Sequence, residues 1–199
     1  MFEIKKFPSP PAFFTDRKKV LDFAKVIKNL PKNAPIIIRE YDLNKKDREV
    51  FAQKISALAR PRGLKIIVGK DFELARKIKA DGIHFSDFDK LPLAFLKKKS
   101  FPKNFIFSFS CHSFKSFLRS EKIKPTLSFV APIFATTSHQ DSKFLGLRIL
   151  AKITLQKQKS SYFSPKIHAL GGVDLQNIKS IQKLKISGIG AIDLFTKNL

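Results

Sequence analysis

Leu64-Lys65-Ile66-Ile67-Val68, the segment carrying Phe72, Leu74, Ala75 and Ile78, and the run Gly82-Ile83-His84-Phe85 together decide how this chain folds. The first and last runs are short and apolar, the length of strands, whereas the apolar residues between them recur at the spacing of one helix face. A helix between two strands is the crossover that a parallel pair requires.

The same unit recurs in both directions along the chain. Upstream, Ala12-Phe13-Phe14-Thr15 reads as a strand followed by a helix with Val20, Leu21, Ala24, Ile27 and Leu30 inward. Ile36-Ile37-Ile38-Arg39 is the next strand, and Asn44 caps a helix with Phe51, Ile55, Leu58 and Ala59 on its apolar stripe. Downstream, a short helical segment over Leu91 to Lys98 precedes a strand at Phe105 to Phe109 and a helix with Phe114, Phe117 and Leu118. Leu127 to Ile133 is the sixth strand, leading through a polar loop to a helix with Leu147, Leu150 and Ala151. Ile167 to Leu170 is the seventh, followed by Gly171-Gly172 and a helix capped by Asp174 with Ile178, Ile181 and Leu184 inward. Ile189 to Ile192 is the eighth. Eight parallel strands close neatly, whereas an open doubly wound sheet would leave two edges to protect. The expected fold is α/β, a (β/α)8 TIM barrel in one domain spanning residues 1–199. With 199 residues against the roughly 250 usual for this architecture, it is a short form with its final helix reduced or missing.

Composition narrows the function classes. The chain is 43% hydrophobic with 21 Phe, enough apolar material for a continuous core and unlike a disordered chain. Lysines interrupt every apolar run, so no membrane span is expected, and Met1 to Phe7 lacks the continuation of a signal peptide. A lone Cys111 has no intramolecular disulfide partner. These features point to the cytoplasm. The formal charge of +23 favours phosphorylated partners by long-range attraction. However, lysines are spread over nearly every helix, and excess Lys, Phe and Ile without Trp is what AT-rich coding produces. With no RNA-recognition or zinc-finger pattern, nucleic acid is a minor alternative.

The order of short motifs is more specific. Thr15-Asp16, Ile38-Arg39-Glu40, Ala80-Asp81-Gly82-Ile83-His84, Ser110-Cys111-His112, Ala131-Pro132-Ile133-Phe134-Ala135-Thr136 and Leu170-Gly171-Gly172-Val173 with Asn177 occur in collinear order. In this respect the chain resembles the thiamine phosphate synthase/TenI family from Phe13 to Ile192. The resemblance implies an enzyme that joins a hydroxymethylpyrimidine pyrophosphate to a thiazole phosphate and releases pyrophosphate, with Mg²⁺ as cofactor. It also implies roles for individual residues. Arg39 and Ser110 would contact the pyrophosphate as the catalytic pair. Thr136 and Ser138, with His139 where the family has Lys, would hold phosphate oxygens. Gly171 and Gly172 would allow close backbone approach to a phosphate, and Asp89 would bind the metal; Asp87, where the family has Gln, would add a second carboxylate beside it.

The chain departs from the family pattern near this chemistry. Tyr41 replaces a Lys, Asp87 replaces a Gln, and Phe195 stands in place of a small hydroxyl residue. Gly69-Lys70 replaces an Asn-Asp pair, so a cation stands where a metal-binding carboxylate is expected; Lys70 would repel Mg²⁺ and attract phosphate directly. Pro132 occupies the position of the tautomerases' catalytic His, which favours the synthase branch over TenI. Cys111 and His112, as neighbours on a strand, point to opposite faces and are not expected to act as a pair. The expected partners are phosphorylated heterocyclic small molecules, with homo-oligomerisation left open. The alternative is a non-catalytic phosphate-binding or regulatory barrel derived from the same family.

Overall fold

The computed structural model describes residues 6–91, 101–136, 144–159 and 165–196. Its elements are β1 (Ala12–Phe14), α1 (Phe23–Asn29), β2 (Pro35–Ile38), α2 (Lys45–Ala59), β3 (Lys65–Gly69), α3 (Phe72–Lys77), β4 (Gly82–Ser86), β5 (Ile106–Cys111), α4 (Phe114–Ile123), β6 (Leu127–Val130), α5 (Gly146–Lys159), β7 (Lys166–Leu170), α6 (Ile178–Gln182), β8 (Gly188–Ala191) and α7 (Asp193–Thr196). The strands form a closed barrel in chain order, every neighbouring pair parallel, with β1 returning to β8 through Ala12 opposite Gly190. The expected (β/α)8 barrel is the fold observed, and among the described residues the last helix is the single turn of α7. No helix among the described residues is long and apolar enough to cross a membrane.

Alternation along each strand sorts the core into two layers. Phe13, Ile36, Ile38, Ile66 and Val68 pack outward beneath the helices, with Ile27, Ile55 and Ala59 on the helix side. Their sequence neighbours Phe14, Ile37 and Ile67 point into the barrel, where they meet Ala12, Leu127 and Phe129. The edge-to-face rings of Phe14 and Phe129, centroids 4.9 Å apart, fill much of that interior. The glycine at position 190 makes room for them, since a Cβ there would sit 3.0 Å from Phe14 and 3.2 Å from Phe129.

Several boundaries differ from the sequence expectation. α1 starts at Phe23, capped by Asp22, whose side chain accepts the Lys25 N–H. Leu21, expected inward, precedes that cap and is fully exposed. β6 stops at Val130 rather than Ile133, because Pro132 has no N–H to offer the ladder. The chain instead turns toward β7, with Ile133 N–H donating to Leu170 O and Phe134 N–H to Gly171 O. Asp174 caps a preliminary turn, accepting from the Gln176 and Asn177 N–H groups, before α6 starts at Ile178. Asn44 caps α2 as expected. The helical segment expected over Leu91 to Lys98 lies, beyond Leu91, outside the described residues.

Candidate active site

The C-terminal ends of the strands surround a cavity of about 940 Å³, at the upper end of the range for small-molecule sites. Arg39, Lys70, Ser110, Thr136, Gly171 and Gly172 all line it. Six residues spread over more than 130 positions of sequence are thereby brought to one mouth. Ser138 and His139 lie outside the described residues.

Arg39 follows β2 and enters the cavity from one side. Its Nε and Nη2 donate to the Thr15 carbonyl, both at 3.3 Å, and its guanidinium stands 5.5 Å from the centre of the Phe14 ring. Glu40 and Asp42, which adjacency suggests as its partners, are taken by Arg17, at 3.8 Å and 2.6 Å. Lys18 also pairs with Asp42, and Lys19 with Asp193. The Arg17-Lys18-Lys19 run thus neutralises carboxylates on the rim, while no described carboxylate pairs with Arg39. A half-buried guanidinium that no described carboxylate neutralises is a site prepared for an anion.

On the floor, β4 and β5 turn three polar residues inward. His84 Nδ1 lies 2.7 Å from Ser108 Oγ, and its Nε2 lies 3.2 Å from Ser110 Oγ. Burial drives the His84 pKa down to about 3, with Arg39 adding to the effect, so the ring is neutral at pH 7. A neutral imidazole has one N–H, so it donates to one serine and accepts from the other. His84 was not singled out from sequence; the signal available was its polar side chain on the inward phase of an otherwise apolar strand.

A second cluster links β3, β4 and the segment after β2. Lys70 Nζ lies 2.6 Å from Asp89 Oδ1 and 4.6 Å from the centre of the Tyr41 ring. The other oxygen of Asp89 accepts from Ser86 N–H at 2.7 Å and Ser86 Oγ–H at 2.9 Å. Burial raises the Asp89 carboxyl, but the hydrogen bonds from Lys70 and Ser86 outweigh it and hold the pKa below the usual range. The hydroxyl end of Tyr41 lies over Gly69, where a Cβ would come within 2.3 Å of Oη. Burial of that end pushes the phenol up to about 12, although Tyr41 as a whole remains 46% exposed. Arg48 from α2 ties this region together, donating to the carbonyls of Arg39 at 2.9 Å and Gly69 at 2.6 Å. Two residues on this rim, Glu40 (φ 36°) and Lys70 (φ 62°), adopt left-handed backbone that costs a non-glycine residue about 1–2 kcal/mol.

Asp87 does not join Asp89. It accepts from His112 through both the backbone N–H and ring Nδ1, and these bonds hold its carboxyl below the usual range despite burial. Asp89 and Asp87 were the carboxylates expected to hold Mg²⁺. The one has an ammonium and two serine donors on its oxygens and the other is bound to His112, and no group of three metal-ligating side chains occurs among the described residues. This donor set does not fit a divalent cation. Cys111 faces away from His112 into the outer core, its thiol pushed up to about 12 by burial, which leaves it without nucleophilic character at neutral pH. Phe195 packs edge-to-face on Phe13 at 5.8 Å, under the helices and outside the cavity wall.

At the opposite wall, Gly171 (φ 87°) and Gly172 (φ 67°) follow β7 in left-handed backbone. A Cβ at Gly172 would lie 2.4 Å from Ala135 O, so the glycine lets the loop after β6 close on it. Among the described residues, the N–H groups of Gly171 and Gly172 have no protein acceptor.

A parallel eight-stranded barrel with charged and glycine-rich strand ends around one mouth belongs to the enzyme-type α/β barrels that bind ligands at their C-terminal face. Comparison with known proteins makes the assignment specific: the chain belongs to the thiamine monophosphate synthase (TMP-TENI) family, whose model matches residues 12–194. It is 29% identical over 184 residues to a protein of Aquifex aeolicus provisionally named thiamine-phosphate synthase 2, covering 91% of this chain and 94% of that protein. It is 30% identical over 154 residues to the thiamine-phosphate synthase of Latilactobacillus sakei, covering 75% of this chain and 64% of the relative. The solved structure of thiamine phosphate pyrophosphorylase from Pyrococcus furiosus superposes with a TM-score of 0.74 at 19% identity over 95% of this chain and 88% of that one, which shows the shared fold.

Proposed function

We propose that this protein makes thiamine phosphate by joining a hydroxymethylpyrimidine pyrophosphate to a thiazole phosphate. The observation that carries this reading is Arg39, a guanidinium lining the mouth without a carboxylate partner among the described residues, together with the glycine pair across the cavity. Family membership supplies the reaction class.

In this proposal the pyrimidine methylene C–O bond breaks with its electron pair leaving on pyrophosphate, and the thiazole ring nitrogen donates its lone pair to form the new C–N bond. Arg39 and Lys70 stabilise the negative charge that grows on the leaving group. His84 donates through Nε2–H to Ser110, which frees the Ser110 hydroxyl proton for a pyrophosphate oxygen. Thr136 and the N–H groups of Gly171 and Gly172 hold the thiazole phosphate. Apolar walls from Phe14, Leu170 and Ile192 limit water near the intermediate cation.

The test is genetic. In a bacterial strain lacking its own thiamine-phosphate synthase, the gene is expected to restore growth on the pyrimidine and thiazole precursors, and Arg39→Ala to abolish rescue. Failure of the soluble wild-type protein to rescue would refute the reading.

A further inference from the structure

We infer that Lys70 is the resident cation of this mouth and that the site binds the diphosphate group of its ligand without a divalent metal. The inference rests on the proposal that the mouth takes a diphosphate. The geometry points to it because the place in question already holds a cation. The Lys70 ammonium contacts Asp89 Oδ1 at 2.6 Å and lies over the Tyr41 ring, so one side chain does what a metal would do between a carboxylate and an anion. Asp89 has a 12% exposed side chain and its second oxygen is engaged by both donors of Ser86. Mg²⁺ demands an octahedral set of oxygens and sheds its water reluctantly, so a carboxylate shared with an ammonium is a poor ligand.

Three neighbouring features fit the same account. Gly69 leaves the space that the Tyr41 hydroxyl occupies, so the π face under Lys70 depends on the absence of a side chain there. Lys70 itself holds φ 62° at the end of β3, a conformation that Gly or Asn would adopt with less strain, and its N–H is fixed to His84 O at 2.9 Å. An ammonium has three donors. With one directed at Asp89 and the side chain 43% exposed on the cavity wall, the others are available to phosphate oxygens.

The experiment is isothermal titration of the full-length protein with inorganic pyrophosphate, in chelator and in Mg²⁺, alongside an assay for thiamine phosphate in the same two buffers. Wild type is expected to bind pyrophosphate in chelator, no more weakly than in Mg²⁺. Lys70→Ala should weaken binding about tenfold or more, the loss of one charge-assisted contact, while Lys70→Arg retains most of it. Lys70→Asp, which places a second carboxylate beside Asp89 and tolerates the left-handed backbone, should bind only when Mg²⁺ is added. Circular dichroism melts establish that each variant is folded. Wild-type binding that requires Mg²⁺, absence of binding in both buffers, or a Lys70→Ala variant that binds like wild type would overturn the inference. Thiamine phosphate formed only with Mg²⁺ would leave the reaction standing and remove the resident cation. Metal-free pyrophosphate binding with no product would do the reverse.

Discussion

Gly172→Ala is the substitution whose cost can be worked out most fully, and Gly63→Ala is its internal control. Both glycines have φ 67°, so alanine suffers the same left-handed backbone penalty of about 1–2 kcal/mol at each. Both also gain the same small benefit from a stiffer unfolded chain. The surroundings differ. At position 63 the new Cβ meets only the flexible stem of Lys32, no closer than 3.4 Å. At position 172 it meets Ala135 O at 2.4 Å, Phe134 Cβ at 2.8 Å and Phe134 C at 2.9 Å, where backbone must move. Overpacking of that kind adds about 1–3 kcal/mol. For a domain of this size each kcal/mol shifts Tm by about 2–4 °C, so Gly172→Ala should lose about 4–20 °C and Gly63→Ala about 2–8 °C, each slightly reduced by the unfolded-chain benefit. Circular dichroism melts at neutral pH read both. Equal losses, or a smaller loss at 172, would refute the close packing of the β6 and β7 loops described above.

Stability should also fall on acidification before any carboxylate titrates. Burial drives His84 to about 3 and His168 to about 4, whereas both sit near 6.5 when unfolded. The unfolded chain therefore gains protons that the native state does not as pH falls below about 6.5, and stability declines from there toward the native values. Between pH 7.5 and 5 the loss should be about 4 kcal/mol in urea unfolding, shared between the two, and the slope should be roughly halved in His84→Gln. A flat profile over that window would contradict their burial as neutral rings. Gly69→Ala should displace Tyr41 and cost about 1–3 kcal/mol by overpacking; adding Tyr41→Ala should recover part of it, and strict additivity in the double variant would count against the contact. Arg48→Met should cost about 2–4 kcal/mol by leaving the Arg39 and Gly69 carbonyls without their donor, and a loss under 1 kcal/mol in denaturant unfolding would contradict that bridging role.

The barrel was legible because its evidence is local. Short continuous apolar runs such as Ile36-Ile37-Ile38 and Ile66-Ile67-Val68 mark the strands, and helical spacing such as Ile55 with Ala59 marks the crossovers, wherever the rest of the chain goes. Boundaries were less so: Leu21 fits the helical spacing but precedes the Asp22 cap, and Pro132 ends β6 within an apolar run. Partner choice at the mouth was not legible, because it is decided between elements distant in sequence. Adjacency suggests that Arg39 pairs with Glu40 or Asp42, yet Arg17 reaches both from the first β/α connection. Asp87 and Asp89 suggest a carboxylate pair, but His112 draws off the first and Lys70 the second. The sequence did contain a signal for the second exchange, since Gly69-Lys70 and Tyr41 depart from the family pattern together and the structure places them in contact.

The condensation itself is read by mass spectrometry of purified protein supplied with the pyrimidine pyrophosphate and the thiazole phosphate. Thiamine phosphate should appear in step with released pyrophosphate, and Arg39→Ala and Ser110→Ala should each suppress both. Folded wild-type protein that forms neither product in chelator nor in Mg²⁺, with both substrates intact, would contradict it.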